Sequence, residues 1–171
     1  MPISQMLLPE FEQEMANTRK ILERVPDGHF DYKPHPKSMP LGRLASHVAE
    51  MPSWAAHTIE HELLELQPGQ QPYMASSTKE LLEHFDKNVA DARKKIAGVS
   101  DEELQKTWTM KFGGKEVLSM PRYSVLRTVV VNHLIHHRAQ LGVYLRLNEV
   151  EIPGMYGPSA DEQKFWETKT A

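Results

Sequence analysis

The sequence predicts an all-α fold, a four-helix bundle in one domain spanning residues 1–171. Three observations lead there. Four long stretches place apolar residues at alternating spacings of three and four, the period of a helix with one buried face. Connectors rich in proline, glycine and polar residues separate them. With 171 residues, 40% hydrophobic and 25% charged, the chain has an ordinary globular composition and enough apolar surface for a core. The connections after the first and second helices are long, which permits a crossover in place of a strict up-and-down order.

The first helix is expected from Ser4 to Val25, with Leu8, Phe11, Met15, Thr18, Leu22 and Val25 on its buried stripe and Pro26-Asp27-Gly28 as its stop. The segment HFDYKPHPKSMP follows; its three prolines and lack of period predict an extended connector. The second helix starts near Pro40 with Ser38 as its cap and reads LGRLASHVAEMPSWAAHTIEHELLE, through Glu65. Leu41, Leu44, Val48 and Met51 form its core stripe and His47 lies beside it. Pro52 removes a backbone donor inside this pattern, so a kink or local loosening is expected.

A polar connection, QPGQQPYMASS, spans residues 67–77. The third helix opens on a Ser/Thr cap, carries Leu82, Phe85, Val89, Ala92, Ile96 and Val99 on its face and ends at Gly98. Ser100 and Glu103 have capping-box spacing for a short helical turn. Residues 107–120, TWTMKFGGKEVLSM, break the helical pattern and predict a small hairpin or extended excursion around Gly113-Gly114. The fourth helix starts at Pro121 and is ended by Asn148, with Leu126, Val130, His133, His137, Gln140, Tyr144 and Leu147 on one face. The tail carries Tyr156 and Trp166, aromatics that a disordered segment seldom keeps, and is expected to pack back on the bundle.

Composition excludes several functions. A net charge of −3 without a basic cluster predicts neither a nucleic-acid nor an anionic-membrane partner. The apolar runs are too short to span a bilayer. The start, MPISQMLLPEFEQEM, has no basic segment and meets Glu10 early, so no signal peptide is expected and the protein is read as cytoplasmic. The absence of cysteine removes disulfides, cysteine nucleophiles, zinc knuckles and iron–sulfur ligation, so any metal must use imidazole and oxygen ligands.

Nine histidines then become the informative residues. His133 and His137, one turn apart in an otherwise core-facing stripe, need partners. Two readings are open: a shared metal ion, or core imidazoles satisfied by hydrogen bonds. For the metal, His47 on the second helix is the best third ligand. Three neutral imidazoles leave the ion's charge unquenched and a coordination position free, an arrangement of catalytic more than structural sites. His29 and His35 in the connector and His84 off the third stripe read as exposed. His57 and His61, beside Glu60 and Glu62, read as a solvated pair, and HELLE at His61 lacks the second histidine of a zinc-protease motif. His136 lies on another face, a surface or interface position from which it orients the site at most indirectly. No histidine has a glutamate three residues before it, which excludes the carboxylate di-iron bundle.

Taken together, LGRLASHVAEMPSW, NHLIHHRAQLGVYLR and IPGMYGPSADE resemble the DinB-like superfamily, which includes the YfiT-like metal-dependent hydrolases. The similarity covers nearly the whole chain. It implies a bundle in up-down-down-up order, a homodimer, and a divalent ion, commonly nickel or zinc, held by three histidines that match His47, His133 and His137 by position. Arg138 and Gln140 match the family pattern HxxxHRxQ. For Arg138 this implies helix packing or a subunit contact. For Gln140 it implies a hydrogen bond to a bound water or substrate, which makes it the one candidate catalytic side chain. Some members are similar to transferases and isomerases that use bacillithiol or mycothiol, in which the metal activates the thiol. The resemblance therefore implies a metal-dependent enzyme, transferase-like or hydrolase-like, activating a low-molecular-weight thiol or water against a small-molecule substrate. The alternative is a non-catalytic metal-binding stress-response or interaction protein. The family name refers to damage induction and does not imply DNA binding.

Overall fold

The structure is a computed structural model and describes residues 1–162. Helices α1 (Ile3–Leu22), α2 (Leu41–Glu60) and α3 (Thr78–Gly98) are followed by the short α4 (Asp101–Gln105). A last helical rod begins as α5 (Arg122–Val125), widens into a π segment (Leu126–Asn132) and returns to α geometry in α6 (His133–Leu147). Strands β1 (Leu63–Leu66), β2 (Thr107–Phe112) and β3 (Lys115–Pro121) form one mixed sheet in the order β1-β2-β3. Phe11, Leu22, Leu44, Met51, Phe85 and Leu141 are among the fully buried side chains at its helical core.

The fold is therefore not all-α, and the expected four-helix bundle is corrected on this point. The 107–120 stretch is an antiparallel hairpin, β2 with β3, turned at Gly113 and Gly114 with φ of +54° and +80°, values that suit glycine. The second helix stops at Glu60, five residues short of the expected Glu65. His61 turns extended (φ −121°, ψ 156°), and Leu63–Leu66 leaves the helix to pair in parallel with Thr109–Phe112. Leucine and glutamate favour a helix there by only a few tenths of a kcal/mol, roughly, which a row of backbone pairs and the covering of Leu64 and Leu66 outweigh. Arg122, 3% exposed, holds this junction: it donates to the His61 carbonyl at 3.3 Å and pairs with Glu103 at 2.6 Å.

The start of α2 also departs from expectation. Pro40, not Ser38, is the cap residue, and no side chain caps the helix. Its unpaired amides are taken by the connector: Leu41 N–H donates to the Tyr32 carbonyl at 2.8 Å and Gly42 N–H to the Phe30 carbonyl at 2.9 Å. Gly42 is required for this contact, since a Cβ there would lie 2.7 Å from the Phe30 ring. The helical assignment continues across Pro52. On α3, Ser77 Oγ accepts from Glu80 N–H as the cap, and Leu81 is fully buried where Leu82 was expected to lead the stripe. Ser100 Oγ caps α4 by accepting from Glu103 N–H at 3.2 Å.

The tail packs back as far as the described residues reach. Asn17 Nδ2 donates to the Met155 carbonyl at 3.0 Å, and the Tyr156 hydroxyl donates to Glu14 Oε2 at 2.7 Å. Trp166 lies outside the described residues.

The Gly42–Phe30 contact is directly testable. Gly42→Ala should force the connector off α2 and cost about 1–3 kcal/mol as an overpacking substitution, read as a lowered denaturant midpoint. Gly28→Ala, where an added Cβ meets nothing within 4 Å, is the control.

Candidate metal centre

His47, His133 and His137 converge. Each presents a ring nitrogen, and these atoms all lie within 4.8 Å of one another. Ring centroids are 5.3 Å apart for His47–His133, 4.8 Å for His47–His137 and 4.6 Å for His133–His137. The two Nε2 atoms of His133 and His137 stand 2.8 Å apart. His137 Nδ1 donates to Gln140 Oε1 at 2.8 Å, which leaves Nε2 of that ring with its lone pair facing the group. No carboxylate joins the group among the described residues.

The rotation of α6 that achieves this differs from the expected one by about one residue. Its core face runs through Leu134, Arg138, Leu141 and Leu145, while Gln140 and Leu147 are exposed. The expected stripe is its neighbour, one residue round the helix. Upstream, the π segment widens where Thr128, Val129, Val130 and Val131, all β-branched, crowd the preceding turn, and it turns both Val130 and Val131 inward. Arg138 faces away from the histidines. It is 2% exposed, pairs with Glu14 at 2.6 Å and donates to Thr18 Oγ1 at 3.1 Å and the Tyr156 oxygen at 2.5 Å. Its role here is packing. Gln140 sits behind His137 as an orienting partner.

Burial makes the three rings poor bases. Desolvation, then the neighbouring His137, Arg43 and His133, push His47 from 6.5 down to about 3. Desolvation also lowers His133, with His137 adding to it, and lowers His137 against the opposing hydrogen bond that His137 donates to Gln140. All three are neutral at pH 7, the form that ligates a metal. Nδ1 of His47 is buried and finds no partner among the described residues. Three neutral imidazole donors at this separation fit a divalent transition-metal ion.

His47 also lines a cleft of about 480 Å³. Helix α2 supplies one wall through Arg43, His47, Glu50, Trp54 and His57; β1, β2 and the Gln67–Pro72 connection supply others. The Trp54 ring lies 5.7 Å from both His47 and His133. Besides His47, three cleft residues carry buried nitrogens without a partner among the described residues: Arg43 Nη1, His57 Nδ1 and Trp108 Nε1. Neither Arg43, Glu50, Trp54 nor Trp108 was singled out in the sequence. The signal was present, because Arg43, His47, Glu50, Trp54 and His57 follow spacings of four, three, four and three, a second face of α2 beside the core stripe.

The remaining histidines separate. His29, His35 and His136 are exposed, and the His136 ring lies 5.0 Å from His137. His61 is exposed, but its expected solvated partner His57 turns into the cleft, with the two rings 4.5 Å apart. His84, expected exposed, is half-buried and stacked on Tyr73 at 3.9 Å. None of these joins the three-histidine group.

Comparison with known proteins adds the family. A model of the DinB family matches residues 1–170. An uncharacterised Bacillus subtilis protein, YrdA, is 26% identical over 163 residues, covering 91% of this chain and 89% of its own. Two crystal structures share the fold. A DinB-like protein from Bacillus cereus aligns with a TM-score of 0.66 and 21% identity over 88% of this chain and 95% of that one. A DinB-like protein from B. subtilis, YjoA, aligns with a TM-score of 0.66 and 18% identity over 88% and 96%.

The depressed histidines predict an acid-sensitive metal-free protein. The unfolded chain takes up protons as pH falls below 6.5, whereas folded His47 does so only near 3. Stability present above pH 6.5 is therefore lost progressively as pH falls toward 3. Denaturant midpoints of metal-free protein across this range should show it. In His47→Ala the slope should be shallower by up to about one proton.

Proposed function

The chain belongs to the DinB family, and from that premise we propose that it is an enzyme holding a divalent metal ion, nickel or zinc, on His47, His133 and His137. The substrate is an electrophilic small molecule, and the nucleophile is a low-molecular-weight thiol or water. One observation carries the reading: three neutral imidazoles converge within 4.8 Å, and one of them, His47, belongs at the same time to a cleft of about 480 Å³. A closed structural site would not need that cleft.

A bound ion of this kind supplies Lewis acidity at neutral pH. The chain's own residues do the rest. Gln140 keeps the proton of His137 on Nδ1, so that Nε2 stays available as a donor. Trp54 and the buried core behind His47 keep water from that side of the group. The apolar walls at Leu64, Leu66 and Trp108 accept the body of a small molecule beside it. A homodimer and a cytoplasmic location complete the proposal. No helix among the described residues is long and apolar enough to cross a membrane.

Elemental analysis of protein purified from metal-replete medium without chelator tests the metal. About one ion per chain is expected, and His133→Ala should hold far less while remaining folded. Wild-type protein without stoichiometric metal contradicts the proposal. The reaction is tested separately, by mixing loaded protein with a chromogenic electrophile and a panel of cellular thiols. Turnover that depends on the identity of the thiol supports thiol transfer. Turnover without any thiol supports hydrolysis, and no turnover in either assay contradicts an enzyme of this kind.

A further inference from the structure

Arg43 stands one helical turn before His47 on the cleft face of α2. Arg43 is half-buried, whereas the fully buried arginines have carboxylate partners, Arg122 with Glu103 and Arg138 with Glu14. Among the described residues Arg43 forms no ion pair and its buried Nη1 has no hydrogen-bond partner. Glu50 lines the same cleft two turns further along α2 and acts on Arg43 only through space. Burial disfavours the charged guanidinium more than Glu50 restores it. A partly desolvated cation with an unused donor costs stability unless an anion meets it.

The surroundings narrow the anion. Leu64, Leu66, Phe112, Val125 and Val129 make the nearby walls apolar, and the cleft has room for a small molecule of roughly a dozen or more heavy atoms. A guanidinium matches a carboxylate with two parallel hydrogen bonds. We propose that Arg43 anchors a carboxylate on a small molecule whose apolar body fills the cleft, with the reacting end of that molecule beside the three histidines. The inference deepens the proposed function and rests on that reading only for the claim that the bound molecule is a substrate.

Isothermal titration calorimetry with phenylacetate and its uncharged isostere phenylacetamide, at fixed ionic strength, tests the anchor. Metal-loaded wild type should bind the carboxylate roughly tenfold or more tightly than the amide, the effect of one charge-assisted contact. Arg43→Gln should lose that preference with unchanged metal content and no loss of thermal stability. Arg43→Lys, which keeps the charge without the planar fork, should keep part of it, and this decides the matter if Arg43→Gln does not fold. The preference should also persist in metal-free wild type. A wild type that favours neither ligand at millimolar concentration overturns the proposal. So does an Arg43→Gln protein with the preference intact, or an Arg43→Lys protein indistinguishable from wild type. A preference that vanishes with the metal also overturns it, because the ion would then be the anion site. Failure of the metal reading is distinguishable, since it shows in elemental analysis and leaves the preference of the metal-free protein untouched.

Discussion

The buried ion pair between Arg138 and Glu14 sets the geometry on which the rest depends. Both groups are nearly inaccessible, at 2% and 5% exposure, and they meet at 2.6 Å. Removing one partner of such a pair leaves a charge stranded and costs about 3–5 kcal/mol. Here the pair locks α6 against α1, and Thr18 and Tyr156 satisfy the remaining polar atoms. Successive residues on a helix are turned by about 100°. With Arg138 directed at α1, His137 is turned toward α2, and His133 follows one turn before it. The tail takes part through Tyr156, so residues far apart in the chain hold one rotation.

Helix α2 answers from the other side by carrying two stripes. Leu41, Leu44, Val48 and Met51 are fully buried and bind it to the core. The face beside them carries Arg43, His47, Glu50, Trp54 and His57 into the cleft. The connector amide bonds at Leu41 and Gly42 and the early stop at Glu60 bound this helix at its two ends. The early stop also has a functional consequence. By releasing Leu63–Leu66 into a strand, the chain gains a sheet that walls the cleft, so the departure from an all-helical fold and the formation of a binding space are one event.

What could be read from the sequence follows the strength of the local signals. Helix periods, the Ser77 and Ser100 caps and the Gly113-Gly114 turn are local, and the structure contains each of them. The spacing of His133 and His137 brought them to one side of a helix, and His47 beside a core stripe pointed toward them. Strand β1 was illegible because Leu63–Leu66 has helix-forming residues and becomes a strand only through β2, more than forty positions away. The rotation of α6 was blurred because Arg138 interrupts the true core stripe as the histidines interrupt its neighbour, so neither reads as cleanly apolar. Arg43 and Trp54 were legible in spacing, but their meaning comes from a cleft that exists only once the sheet is in place.

The central claim is that one divalent ion sits between α2 and α6, held by His47, His133 and His137. Diffraction from a crystal of metal-loaded protein, measured on both sides of the absorption edge of the bound metal, tests it most directly. The account predicts one anomalous peak per chain within coordination distance of all three rings, about 2.0–2.2 Å from a nitrogen of each. A peak elsewhere on the chain, or none among these histidines in protein that carries a full equivalent of metal, would contradict it.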